Sequence, residues 1–573
     1  MYFKCMHRFW TNLIGVFLIL AFIGLAFNLS RIQIIEHDKY AKLAKAQQSK
    51  KVKLFARRGM ILDRNGRKLA ESLRVGSVYA DPSAIKDASE VVHYLSKVLK
   101  LNSSKLLKKL NKDKKFVWIK RKVSDEELKE ISKLSLQGVY IEHEYHRFYQ
   151  NGQLGSHIIG FTDIDEKGLE GIELSCNKIL TGDPGYKMML RDAQQSHILT
   201  PDVEMQFPRH GDNVMLTIDS DIQRFAEEEL DNLCKTWLPV SASAIVLDTT
   251  TGEILAMANV PAYDPNNVKK YPSSARKNLT ITDFYEPGSI IKPVVLAGIF
   301  ENKLAGPDDI IDCENGTYSM GKRTLRDSHG YNKLTVSEII TYSSNIGMAK
   351  LGLRMGIERM YDHLEQFNFG NKFGIELSGE QEGIFRPLKS WSKQFSLVSV
   401  SIGHEITATP LQFVTIFASI ANGGLLLKPR IIKSITDNDG NVKEEYEGPQ
   451  IVRRVMSEEV ARDLLNPILV DVVRNGTGKK AFLPEYEVAG KTGTSQKINK
   501  ADGRYSHDKY VSSFVAYAPA EKPRICVLVM VNEPKNGAYY GGTVAAPAVG
   551  GIIKKTLMYL GVEPAQLQQM AMH

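Results

Sequence analysis

Along the chain the apolar positions change rhythm several times, and each rhythm predicts an element. From Leu13 to Phe27 no charged residue occurs. That run is long enough for one helical crossing of a bilayer, which takes about 20 residues. Lys4, His7 and Arg8 precede it, Ser30-Arg31 follow it, and Phe9 and Trp10 stand at one edge. Basic residues before the run predict a cytoplasmic N-terminus and an exported remainder. A cleaved signal peptide needs a shorter apolar core and a small-x-small site, and Leu25-Ala26-Phe27-Asn28 does not supply one. Residues 1–11 are therefore expected as a cytoplasmic tail and residues 12–30 as a transmembrane anchor.

Residues 31–209 mix short strand-like stretches with lysine-rich helical ones and hold no catalytic constellation. From about residue 212 the pattern changes. Periodic apolar positions predict a helix over 222–233, then strands over 242–247 and 253–257 joined by the hairpin signal Asp248-Thr249-Thr250-Thr251-Gly252. Residues 294–300 are apolar on every face, which places a helix inside a domain rather than on its surface. Many helices later come a strand around Lys491, strands over 510–517 and 524–532, and a helix from about 544 to 560. This order predicts an α+β domain, an antiparallel sheet closed by N- and C-terminal helices around a helical insert. Asp437-Asn438-Asp439-Gly440 and Glu447-Gly448-Pro449 mark a smaller structural hairpin.

At 573 residues the chain is too long for one ordinary core. Its net charge of +9 is concentrated in segments such as 42–58 and 97–122, which read as solvated faces or as surfaces near anionic lipid heads. Nothing resembles a nucleic-acid module. Cys5, Cys176, Cys234, Cys313 and Cys526 are widely scattered, with neither scaffold spacing nor a C-x-x-C metal pattern.

The candidate chemistry lies in three short motifs. Ser289-Ile290-Ile291-Lys292 follows the turn Glu286-Pro287-Gly288 and opens the buried helix. Residues three apart share a helix face, so Lys292 can lie against Ser289. A serine hydroxyl becomes a strong nucleophile only when a base takes its proton, and a lysine can do so once burial or a cationic neighbour lowers its pKa. Pro293 is tolerated because a helix's first turn can spare an amide. Alone the motif is weak, since S-x-x-K also occurs at Ser83, Ser175, Ser274, Ser319, Ser390 and Ser506. Ser343-Ser344-Asn345 joins two helical stretches and offers a second hydroxyl for proton relay and an amide for gripping a substrate backbone. Gly490-Lys491-Thr492-Gly493-Thr494 reads as a strand whose glycines give clearance for another backbone.

The three motifs in this order resemble the penicillin-binding protein and serine β-lactamase superfamily. Arg58-Gly59-Met60-Ile61-Leu62-Asp63-Arg64-Asn65-Gly66, Gly168-Leu169-Glu170-Gly171-Ile172-Glu173 and Leu216-Thr217-Ile218-Asp219 resemble class B members. Thr280 through Ser289 resembles the division-specific branch, the septal penicillin-binding protein 3 type. The resemblance implies a pedestal of the dimerisation type at 31–209, a transpeptidase domain at 210–562, and a C-terminal tail at 563–573. Arg147-Phe148-Tyr149-Gln150-Asn151-Gly152 departs from the family by carrying Gln150 where proline is usual, a difference confined to a pedestal turn.

The implied activity is D,D-transpeptidation of peptidoglycan stem peptides through a Ser289 acyl-enzyme that β-lactams also form. Lys292 is then the general base, Ser343 the proton relay and Asn345 the guide of the stem peptide. Lys491, Thr492, Gly493 and Thr494 line the carboxylate site, and the amides of Ser289 and Thr494 form the oxyanion hole. No metal or organic cofactor is implied. Implied partners are the inner membrane, a polytopic peptidoglycan glycosyltransferase and division-complex proteins, with the catalytic domain periplasmic at the septum. An elongation-specific enzyme, a carboxypeptidase, a β-lactamase using Glu376, Glu380 or Glu382 in an omega-like loop, and a non-catalytic division scaffold are the alternatives. His404 is read as capping or packing rather than as a triad base.

Overall fold

The computed structural model describes residues 2–110, 114–191, 197–198, 204–321, 323–498 and 504–564. Two compact units are present, Met1–Arg57 with Gly182–His210, and Arg58–Thr181 with Gly211–His573. The stretch expected as the pedestal is thus divided between them.

In the first unit the helix Tyr2–Ser30 runs 29 residues, about 44 Å at 1.5 Å per residue. That length exceeds the roughly 30 Å hydrocarbon core of a bilayer. Its apolar side chains, Phe17, Ile19 and Phe22 among them, are exposed, and the segment is long and apolar enough to cross a membrane. A helix His37–Gln48 follows, and then the strand Ser49–Leu54, which pairs antiparallel with Gly185–Arg191.

The second unit holds two large sheets. One has five strands in the spatial order Ile254–Val260, Ser241–Asp248, Ile525–Asn532, Tyr505–Ala518, Ala489–Ile498, every neighbour antiparallel. Both faces of this sheet are covered, so the central strand Ile525–Asn532 is apolar up to its last residue rather than alternating, and Ser243, Ser512 and Ser513 of its neighbours are buried. In Ser241–Asp248 the side chains of Ala242, Ala244 and Val246 enter one core with Ile222, Ala226 and Leu230 of the helix Ser220–Trp237 and Val549, Ile552 and Ile553 of Ala546–Tyr559. Ile245 and Leu247 enter the opposite core, shared with the helices Lys292–Glu301 and Pro410–Ala421. The period of two along the strand is what sends neighbours to opposite layers. Asp219 caps the first helix by accepting the amides of Asp221 and Ile222, and Thr409 with Gln412 forms a capping box on Pro410–Ala421.

The other sheet has seven strands. Asn213–Leu216 lies at its centre, parallel to Ile61–Leu62 and antiparallel to Ile432–Thr436. Lys68–Ala80 pairs with Val117–Val123 and with Val139–Tyr149. The expected hairpin at 437–440 is present, joining Ile432–Thr436 to Val442–Glu445. It is no mere excursion, because it completes this sheet from a point more than two hundred residues further along the chain. Beside the sheet Glu173 is fully buried between two guanidinium groups, Arg58 Nε at 2.7 Å and Arg147 Nε at 2.6 Å.

Candidate active site

Ser289 does not begin the α-helix itself. A 3-10 turn, Gly288–Ile291, carries it, and the α-helix starts at Lys292 with Pro293 in its first turn. Gly288 makes that turn possible. Its φ is +51°, and a Cβ there would come within 2.9 Å of the Thr494 carbonyl oxygen. On the other side its amide donates to the Gly403 carbonyl at 3.2 Å. Gly403, at φ +90°, passes so close that a Cβ would stand 2.1 Å from the Gly288 oxygen. The Ser289 turn is therefore threaded between the Gly403 loop and the edge strand Ala489–Ile498.

That edge strand has a sheet neighbour on one side, which leaves a row of its backbone groups free for an extended ligand. Gly493 lets Ile290 pack over it, since a Cβ would meet Ile290 at 2.9 Å. Lys491 and Thr492 are both buried. The Thr492 hydroxyl bonds that of Thr477 at 2.8 Å, and the Thr494 hydroxyl accepts the Gly541 amide at 3.0 Å. The short helix Gly541–Val544 thus starts against the strand that carries Lys491, Thr492 and Thr494.

Ser343 ends the helix Val336–Thr341 in the left-handed region, φ +61°, a conformation that costs a non-glycine residue about 1–2 kcal/mol. Such strain gathers at functional sites. The corner turns its carbonyl and hydroxyl toward two lysines, each with no exposed surface. Lys292 Nζ donates to the Ser343 carbonyl at 2.7 Å and to Asn345 Oδ1 at 2.8 Å, and lies 3.3 Å from Ser343 Oγ. Lys491 Nζ donates to Ser343 Oγ at 3.0 Å.

Burial pushes Lys292 down to about 7, against a smaller opposing pull from Asp327. Burial, and then the neighbouring Lys292, hold Lys491 well below the ordinary lysine value. A neutral amine has two N–H donors and one lone pair. Two acceptors, the Ser343 carbonyl and Asn345 Oδ1, take the donors of Lys292, leaving its lone pair for a hydroxyl proton.

Lys292, Ser343, Asn345, Lys491 and Thr492 are thus joined by hydrogen bonds. Ser289 is not part of that net. Its hydroxyl has no hydrogen-bond partner among the described residues, and it is half-buried on the turn before Lys292.

Asp327 was not legible as a site residue. It accepts the Ser344 hydroxyl at 2.6 Å and the amides of Asn345 and Ile346, at the start of the helix Asn345–Met355. An aspartate in Arg326-Asp327-Ser328-His329-Gly330 reads as an ordinary loop residue, and no local signal sets it apart. Two carboxylates of the omega-like loop are taken up by backbone amides. Glu380 accepts the amides of Phe373, Gly374 and Ile375 at 2.7, 2.9 and 3.1 Å, and Glu376 accepts that of Ile431 at 3.0 Å. His404 turns its Nδ1 to Glu286 at 2.9 Å.

This geometry has known counterparts. Residues 242–554 match the penicillin binding protein transpeptidase domain, and residues 53–216 match the penicillin-binding protein dimerisation domain. The peptidoglycan D,D-transpeptidase FtsI of Escherichia coli K12 is 33% identical over 555 residues, covering 95% of this chain and 91% of that relative. A probable peptidoglycan D,D-transpeptidase, PenA of Neisseria meningitidis, is 35% identical over 518 residues, 90% of this chain and 86% of its own length. Penicillin binding protein 3 of Mycobacterium tuberculosis, solved with aztreonam, superposes with a TM-score of 0.70 at 28% identity, over 90% of this chain and 98% of that one. The chain belongs to the class B penicillin-binding proteins, with a dimerisation domain followed by a transpeptidase domain.

Proposed function

We propose that this protein is a membrane-anchored peptidoglycan D,D-transpeptidase acting in septal wall synthesis, with Ser289 as the acylated residue. The observation that carries the reading is the Ser343 hydroxyl held between two buried lysines, one of which, Lys292, follows Ser289 by three residues. Lys292 takes the Ser289 proton as Oγ bonds to the carbonyl carbon of the penultimate D-alanine. The amides of Ser289 and Thr494 hold the oxyanion, an interaction whose loss costs about 2.7–4 kcal/mol in barrier height. The C–N bond breaks, and Ser343, recharged from the lysines, hands a proton to the departing D-alanine. Lys491, Thr492 and Thr494 receive the terminal carboxylate beside Gly493, while Asn345 orients the stem peptide. An amine from a neighbouring stem peptide then displaces Ser289 and completes the cross-link. A β-lactam enters the same path, its ring opening on Ser289 without a leaving group that diffuses away.

The name of the Escherichia coli relative and the division-type sequence at 280–289 support the septal role. On this reading the N-terminus is cytoplasmic, the catalytic unit periplasmic at the division site, and a polytopic glycosyltransferase with division-complex proteins supplies the glycan strands. The test is incubation of the full chain with such a glycosyltransferase and lipid-linked substrate, followed by mass analysis of muropeptides. Cross-linked dimers that vanish with Ser289→Ala support the reading. Release of D-alanine with no dimers points to a carboxypeptidase. A tagged chain spread along the side wall of dividing cells contradicts the septal part.

A further inference from the structure

A second polar cluster flanks the Ser289 turn. The Glu286 side chain, three residues before Ser289, is only 8% exposed and gathers three donors. Tyr505 Oη lies 3.1 Å from each carboxylate oxygen, His404 Nδ1 lies 2.9 Å from one of them, and the Glu405 amide donates to the other at 3.0 Å. Tyr505 and His404 also touch each other, Oη to Nδ1 at 3.0 Å, with ring centroids 5.1 Å apart, edge to face. Tyr505 opens the strand Tyr505–Ala518 and pairs with Ile498 at the far end of the edge strand.

Three segments therefore converge on one carboxylate: the Ser289 turn, the Gly403 loop and the return strand of the edge hairpin. The chemistry proposed above uses none of these side chains. Their placement bears on it all the same. Among the described residues the edge strand has no sheet neighbour on its outer side, so packing against the Ser289 turn sets how far Thr494 stands from Ser289. Gly288 against Thr494 and Gly493 against Ile290 fix one contact between turn and strand. Glu286 reaches the other end of the same hairpin, and Pro287, with its restricted φ, links it to Gly288 and Ser289. Hydrogen bonds to a carboxylate are shorter and stronger than neutral ones.

We propose that Glu286, His404 and Tyr505 form a latch that sets the spacing of the Ser289 and Thr494 amides, making them positioning residues for acylation. This rests on the reading of those two amides as the oxyanion donors. Preorganised donors act only at the correct distance from the developing charge, and misplacement by about 1 Å can cost a hundredfold in rate. A latch of this kind acts on the chemical step and leaves the initial noncovalent binding of a β-lactam nearly unchanged.

The test is stopped-flow acylation of the full chain in detergent by a chromogenic cephalosporin, separating the dissociation constant of the first complex from the acylation rate constant. Tyr505→Phe, which removes one oxygen atom, Glu286→Gln and the double variant are compared with wild type, with melting temperatures as a control on folding. Each single substitution is expected to slow acylation by about fivefold to tenfold, with the dissociation constant within about twofold. The double variant should be no slower than the slower single, because both break the same latch. Unchanged acylation in both singles, losses that multiply in the double, or a loss confined to the dissociation constant would each overturn the latch. Absence of any adduct in wild type, or its persistence in Ser289→Ala, would instead overturn the acyl-enzyme reading beneath it.

Discussion

Lys292 Nζ donates to the carbonyl of Ser343 at 2.7 Å and stands 3.3 Å from the same residue's hydroxyl. One residue thus fixes the amine's direction and offers it a proton route. The arrangement needs the amine neutral, and burial brings its pKa down to about 7.

The first consequence concerns pH. Acylation by a penicillin should rise as pH increases through about 7, because the base works only after losing its proton. Asp327 opposes the downward shift of Lys292, so Asp327→Asn should move that limb to lower pH. Rate constants collected from pH 5 to pH 9, as a series of roughly half-unit steps, check both points.

The relay makes a separate prediction. Ser343→Ala removes the hydroxyl that both lysines approach and leaves Ser289 in place. Acylation should slow by about a hundredfold or more, the scale of a lost acid–base group. Intact mass should still show the adduct after long exposure.

Burial of Lys292 has a cost in stability with a definite sign. Its folded pKa lies at about 7 and the ordinary lysine value is 10.5, so between those values the unfolded chain binds more protons. The contribution of this group to stability therefore rises with pH across that window. Lys292→Met should abolish acylation and melt higher than wild type at pH 7, and the difference should narrow by pH 9 to 10. Thermal melts at several pH values measure it.

Away from the cleft, Glu173→Ala leaves Arg58 and Arg147 buried without their carboxylate. Breaking one side of a buried ion pair costs about 3–5 kcal/mol. Denaturant melts should show that loss, while the fraction still folded acylates at the wild-type rate.

The sheet and the motifs were legible because they rest on local signals. The strand Ile525–Asn532, buried on both faces, reads as an apolar run up to its last residue, and 294–300 reads as a buried helix for the same reason. Lys292, Ser343, Asn345 and Lys491, which hydrogen bonds bring together, stand out in the sequence through their spacing within short motifs. What escaped depends on distant pairings. The hairpin Ile432–Glu445 has an ordinary local pattern, and its place beside Asn213–Leu216 is set by the fold. Asp327, Glu286 and Tyr505 are polar residues at loops or strand ends, and only the folded chain brings their partners to them. The turn at Ser289 was expected as the start of an α-helix. The close passage of Gly403 and Thr494 leaves it as a tighter 3-10 turn instead.

The central claim is that Ser289 is the acylated residue, and intact mass of the full chain after incubation with benzylpenicillin tests it most directly. A lasting adduct of one drug per chain, absent from Ser289→Ala, is the predicted result. An adduct that survives Ser289→Ala, or hydrolysed drug with no adduct at all, would contradict it.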